Sequence, residues 1–130
     1  MRAAIIALML MIGSQAGADN VLYCSTAPDL ATGFVNEDGK WRTGRFEEKR
    51  FTVKEVGNFS SVEIADEKYS CRRPYKSERG AITCQKKSGY VFNYDERTKK
   101  FIFFHCSIAS YTHPIATDTC ATFLGSCEDF

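Results

Sequence analysis

Residues 81–106 read Ala81-Ile82-Thr83-Cys84-Gln85-Lys86-Lys87-Ser88-Gly89-Tyr90-Val91-Phe92-Asn93-Tyr94-Asp95-Glu96-Arg97-Thr98-Lys99-Lys100-Phe101-Ile102-Phe103-Phe104-His105-Cys106. Ile82 and Cys84 alternate with Thr83 and Gln85. Tyr90, Phe92 and Tyr94 alternate with Val91, Asn93 and Asp95. A period of two puts one set of side chains on a buried face and the other in water, which is the signature of a β-strand. Lys86–Gly89 and Asp95–Lys99 separate these runs with turn-forming and charged residues. The stretch therefore predicts three strands joined by two hairpin turns. Phe101–Phe104 is apolar at every position, which predicts a central strand with apolar residues on both faces.

The same pattern extends outward. Phe51 and Val53, Val62 and Ile64, and Tyr69 and Cys71 each alternate with polar neighbours. Turn signals lie at Asn36-Glu37-Asp38-Gly39, Gly57-Asn58, Asp66-Glu67, Pro74–Gly80 and His113-Pro114. No stretch holds a 3.6-residue apolar repeat over ten positions. Residues 26–33 and 42–50 are less regular, and Arg42–Arg50 reads as a helical turn or a loop. Seven to nine short strands at near ten-residue spacing predict an all-β domain: an antiparallel β-sandwich or a small β-barrel built as a meander.

The first residues have a different character. Arg2 precedes the apolar run Ala3–Ile12, and Ala16-Gly17-Ala18 offers small residues for cleavage. This is the layout of a secretory signal peptide over residues 1–18, since about ten apolar residues fall short of the roughly twenty that span a bilayer. One exported domain, residues 19–130, would remain, in the periplasm or outside the cell, with no transmembrane segment after cleavage. The 130-residue chain is too short for large two-domain or α/β-barrel enzymes. A formal charge of +1 gives no general basic field for nucleic acid. A monomer is expected.

Six cysteines in an exported chain predict a disulfide framework. In an antiparallel hairpin, opposed residues have a constant index sum. Cys71 and Cys84 then face each other across a turn inside Pro74–Gly80, and Cys106 and Cys120 across one at His113. Cys24 and Cys127 remain, one near each end. The rival plan keeps 71–84 and pairs 24 with 120 and 106 with 127. No C-x-x-C pair and no four-ligand Cys/His spacing suggests redox or metal chemistry.

No phosphate loop, G-x-S-x-G or H-E-x-x-H motif occurs, and no cofactor, metal or catalytic residue is expected. His105 and Cys106 are strand neighbours and point to opposite faces, so they cannot form a nucleophile–base pair. The carboxylates fall mostly in turns. Charge is nonetheless uneven. Residues 72–87 hold Arg72, Arg73, Lys76, Arg79, Lys86 and Lys87 against Glu78 alone, whereas residues 101–130 hold Asp118, Glu128 and Asp129 and no Lys or Arg. A bipolar domain would follow, with the basic loop a candidate surface for an anionic envelope component or protein partner. Trp41, Phe46, Phe51, Phe59, Tyr69, Tyr90, Phe92, Tyr94, Phe101, Phe103 and Phe104 either fill a core or line an apolar ligand cavity.

Leu22-Tyr23-Cys24, Ala31-Thr32-Gly33-Phe34, Gly39-Lys40-Trp41, Arg45-Phe46, Arg50-Phe51-Thr52-Val53-Lys54 and Gly125-Ser126-Cys127 together resemble small exported hypothetical proteins of proteobacteria. That group carries no known function. The resemblance implies that 24–127 and 71–84 are shared bridges and that Cys106 and Cys120 are additions. Gly39-Lys40-Trp41 is similar to the G-x-W signature of lipocalins, which implies a small barrel carrying an apolar ligand. Ser88-Gly89-Tyr90 is faintly similar to periplasmic inhibitors of lysozyme, whose fuller motif is absent here. The leading expectation is a non-catalytic binding protein, with a lipocalin-like carrier or lysozyme-inhibitor-like protein as the alternative.

Overall fold

The structure, a computed structural model, describes residues 20–75, 80–107 and 118–129. The proposed signal segment, Lys76, Arg79 and His113 lie outside the described residues. Nine strands run in chain order: β1 Val21–Glu37, β2 Lys40–Arg45, β3 Arg50–Val56, β4 Ser61–Ile64, β5 Glu67–Arg72, β6 Ala81–Gln85, β7 Val91–Asp95, β8 Lys100–Ser107 and β9 Asp118–Asp129. Neighbours pair antiparallel, and β1 also pairs with β9, so eight strands close into a barrel. β2 is the extra strand. The first half of β1 pairs with β3 and its second half with β2, while β9 lines its other side. Among the described residues no helix is long and apolar enough to cross a membrane.

The less regular segments of the sequence have a physical explanation. Residues 26–33 belong to β1, but its register with β9 breaks between Thr26 and Ala31, and Asp29 is left-handed at φ 62°. This bulge hides the alternation, because extra residues reset which side chains point inward. Of Arg42–Arg50, only residues 46–49 are the expected loop; residues 42–45 belong to β2, which has almost no buried side chain to reveal a face, and Arg50 opens β3. The β4–β5 turn is centred on Ala65-Asp66, one residue earlier than the sequence suggests, because Ile64 opposes Glu67.

Closure turns the predicted buried face into the barrel interior. Val53, Val62, Ile82, Phe92 and Phe101 are almost fully buried there. Phe51 meets Phe92, Phe101 and Phe103 at centroid distances of 6.1, 5.2 and 5.6 Å. Phe123, not singled out by alternation, joins them at 6.3 Å from Phe103. An eight-stranded barrel is just wide enough to be filled by side chains, and these rings meet one another inside it. Each buried aromatic contributes about 2–3 kcal/mol through the area it removes from water.

Two aromatic expectations are corrected. Trp41 is 53% exposed on β2, outside the closed barrel. Phe101–Phe104 does lie between two strands, but only Phe101 and Phe103 point inward; Ile102 and Phe104 are 43% and 36% exposed on the outer wall. In a barrel without a second layer, the outward residues have nothing to pack beneath.

The three disulfides are 24–127, 71–84 and 106–120, each joining directly opposed strand residues with Cα atoms 4.0 Å apart. Cys24, Cys84 and Cys127 are buried inside. Cys106, in contrast, is exposed on the outer wall. The rival plan fails because Cys24 faces Cys127, not Cys120.

Candidate binding surfaces

In a meander, successive connections alternate between the two ends of the barrel. Residues 73–75, Gly80 and 96–99 therefore share the end where β1 begins and β9 finishes, here called the lower end. The turns at 38–39, 65–66 and 86–90 share the upper end with the 46–49 link. This geometry divides the basic stretch 72–87. Arg72 and Arg73 stand at the lower end, whereas Lys86 and Lys87 stand at the upper end beyond β6. The acidic third is split as well, with Asp118 above and Glu128 and Asp129 below. The expected bipolar division is thus absent among the described residues, because alternating connections send neighbouring charges to opposite ends.

At the lower end, β5, β6, β7 and β8 form a groove on the outer wall. It has a volume of about 600 Å³, and Arg72, Tyr75, Thr83, Asn93, Lys100 and Ile102 are among its lining residues. The strand registers explain its order: Arg72 opposes Thr83, Thr83 opposes Asn93, and Asn93 opposes Ile102. The Thr83 hydroxyl donates to Asn93 Oδ1 at 2.9 Å and fixes the amide in the floor. Cys71–Cys84 pins β5 to β6 immediately behind Arg72. Pro74 and the 58%-exposed Tyr75 form one side.

Charge in the groove is uneven. Asp95, a further lining residue, accepts hydrogen bonds from the Arg97 backbone N–H at 2.9 Å and its side chain at 3.4 Å. These bonds hold the Asp95 carboxyl below its ordinary range. Arg73 is bound in two places to Glu96, at 3.1 and 3.4 Å. Arg72 and Lys100 make no ion pair among the described residues. They stand on opposite sides of an open, partly apolar concavity.

The other predicted residues are used differently. Lys86 pairs with Glu67 and lies over the Tyr90 ring at 5.0 Å, while Lys87 is exposed on the turn. Lys100, Tyr75 and Asn93 went unnoticed in the sequence. Lys100 was legible in principle, since it occupies an outward position two residues before Ile102. Tyr75 carries no such signal, because its placement depends on the path of a connection. Among the described residues, no three His, Cys, Asp or Glu side chains gather where a metal ion could bind.

Comparison with known proteins places no relative beside this chain: no protein-family model, curated protein or solved structure matches it.

Proposed function

We propose that this chain is an exported, non-catalytic binding domain, working in the periplasm or outside the cell, that recognises an anionic protein or envelope component through the lower groove. The observation that carries this reading is the pair Arg72 and Lys100, two cations without carboxylate partners among the described residues, flanking a groove with apolar and hydrogen-bonding positions. Free cations at the edge of a partly apolar depression attract a partner electrostatically and let buried contacts hold it. Three disulfides agree with an oxidising compartment, which an exported chain would enter. The resemblance to small exported proteobacterial proteins fits this reading and adds no substrate to it.

The carrier alternative has less support. The closed barrel is compatible with a small lipocalin-like domain, yet the ring contacts around Phe51, Phe92, Phe101 and Phe103 occupy the described interior. The lysozyme-inhibitor alternative rests on Ser88-Gly89-Tyr90, whose Tyr90 is stacked against His105 and not presented to a partner as a free ring.

The test is capture from an envelope extract on immobilised protein, comparing wild type with Arg72→Glu/Lys100→Glu. Both positions are exposed, so the melting temperature should stay within a few degrees of wild type. Retained partners should be lost in the variant, and wild-type binding should weaken as salt rises. Equal retention by the variant would overturn the reading.

A further inference from the structure

β2 has one open edge. Among the described residues it pairs with β1 alone, while β1 carries β9 on its other side. One bond tells which of its backbone groups are used. The Phe46 N–H donates to the Ala31 carbonyl at 2.8 Å, in the same register that sets Arg45 opposite Thr32. In an antiparallel ladder, hydrogen-bonded pairs recur at every second residue. Gly44, Arg42 and Lys40 therefore bond to Gly33, Val35 and Glu37. Trp41, Thr43 and Arg45 direct their N–H and C=O groups away from β1, into solvent.

Open edges are ordinarily blunted by proline, by a bulge or by free charge. β2 contains no proline, and its register with β1 is unbroken. Its guanidiniums are matched from the β1 side: Arg42 pairs with Glu37, and Arg45 with Asp29 at 3.5 Å. Every residue of the strand except Gly44 is exposed. Trp41, Thr43 and Arg45 share the outer face with Phe34, which lies opposite Thr43 in β1. Trp41 and Phe34 are 53% and 52% exposed. A groove of about 550 Å³ is lined by Phe34, Thr43 and Arg45, among others. Two large apolar side chains thus stand beside a row of unpaired backbone groups.

We propose that this edge pairs with β2 of a second copy of the chain, antiparallel about a two-fold axis through Thr43, in place of the monomer expected from the sequence. The strand itself selects that register. Thr43 faces Thr43, and Trp41 of each copy faces Arg45 of the other, so every position with free backbone groups bonds at once. An axis through Arg42 would set two guanidiniums face to face and leave Arg45 against the turn. An axis through Gly44 would leave Trp41 beyond the end of the opposing strand. In the Thr43 register no cation opposes a cation: Arg42 faces Gly44, and Lys40 falls opposite Phe46. Arg45 meets the indole as a cation–π pair, and Trp41 stands at the open side of the other copy's groove. A strand of unrelated sequence would satisfy the backbone groups alone; the second copy also matches the charges. The contact is self-complementary and closes on itself, which gives a dimer and not a fibre. A six-residue strand lies at the small end of specific interfaces, so the dimer dissociates on dilution.

Sedimentation of the disulfide-bonded protein over a range of concentrations should show monomer passing to dimer. Thr43→Pro removes an N–H that β1 does not use, so the melting temperature should stay within a few degrees of wild type while the dimer is lost. Trp41→Lys sets an ammonium against Arg45 and should weaken the dimer about tenfold or more, counting both symmetric positions. Mixing Trp41→Lys with Arg45→Glu should give a heterodimer tighter than either variant forms alone, because the introduced ammonium and carboxylate then oppose each other. A wild type that stays monomeric at the highest soluble concentration overturns the proposal and leaves the edge to a strand of another protein. A dimer undiminished in Thr43→Pro, or mixed variants that associate no better than each alone, overturns it equally. The edge borders the upper half of β1, so the lower groove can fail its own test without affecting this one.

Discussion

A Cβ placed on Gly125 would stand 2.0 Å from the Ser25 carbonyl oxygen and 2.9 Å from the Phe101 ring. One on Gly33 would meet the Cys120 carbonyl oxygen at 1.8 Å. Both glycines lie where β1 and β9 press together to close the barrel, opposite Thr26 and Ala121 respectively. Backbone cannot yield there as a flexible side-chain tip would. Gly125→Ala should therefore destabilise the domain by about 3 kcal/mol, the upper range for overpacking. Thermal unfolding followed by circular dichroism checks this, and a melting temperature equal to wild type would refute it. At the same scale, burial and the neighbouring Glu67 and Tyr90 push the Tyr69 hydroxyl up to about 12. Tyr69 thus stays neutral through the physiological range, as suits a core residue.

At the scale of elements, the tight turns show two solutions to one geometric demand. A two-residue turn matching the twist of its strands requires positive φ at both central positions. Asp38-Gly39 meets it with favoured residues, at φ 52° and 77°. Ala65-Asp66 meets it at 51° and 61° with an alanine, whose Cβ crowds the following carbonyl. Ala65→Asn should stabilise the protein by about 1 kcal/mol, measured as a shift in the denaturant midpoint at unchanged slope; an unchanged midpoint would count against it.

The same elements show how much the sequence reveals. β3 to β8 were legible because each turns alternate apolar residues inward without a bulge, as Val62 and Ile64 do in β4 and Tyr69 and Cys71 in β5. β1 was half hidden by its bulge, and β2 almost wholly, since a strand that buries nothing has no pattern to display. The cysteine pairs were legible because two of them join neighbouring strands, where hairpin symmetry fixes the partner. The candidate surfaces were less so. Arg72 was visible as a charge, but its partnership with Lys100 depends on four strands lying side by side. The open edge of β2 depends on how β2 pairs with β1, which no local pattern announces.

At the scale of the molecule, the three disulfides are not equivalent. The 24–127 bridge ties ends 103 residues apart and lies inside, whereas 71–84 and 106–120 span 13 and 14 residues. Loop entropy gives the long bridge about 4–5 kcal/mol and the short ones about 3 kcal/mol each. Accessibility sets a different order. Exposed Cys106 admits a reducing thiol without unfolding, whereas buried Cys24, Cys84 and Cys127 exclude it. Mild reduction of the native protein, followed by alkylation and mass mapping, should label Cys106 and Cys120 first. Earlier labelling of Cys24 or Cys127 would show that the barrel opens at its seam.

Leu22 sits opposite Asp129 in that seam, so residue 20 and residue 129 leave the barrel side by side at the lower end. Anything joined at residue 20 or residue 129 stands at the end of the barrel that carries the Arg72–Lys100 groove, a full strand length from the upper turns. A solid support or an affinity tag joined there would thus crowd that groove and hold the upper turns outward. Immobilising the protein through the exposed upper turn at Lys87, in place of residue 20 or 129, reverses that bias and leaves the groove open.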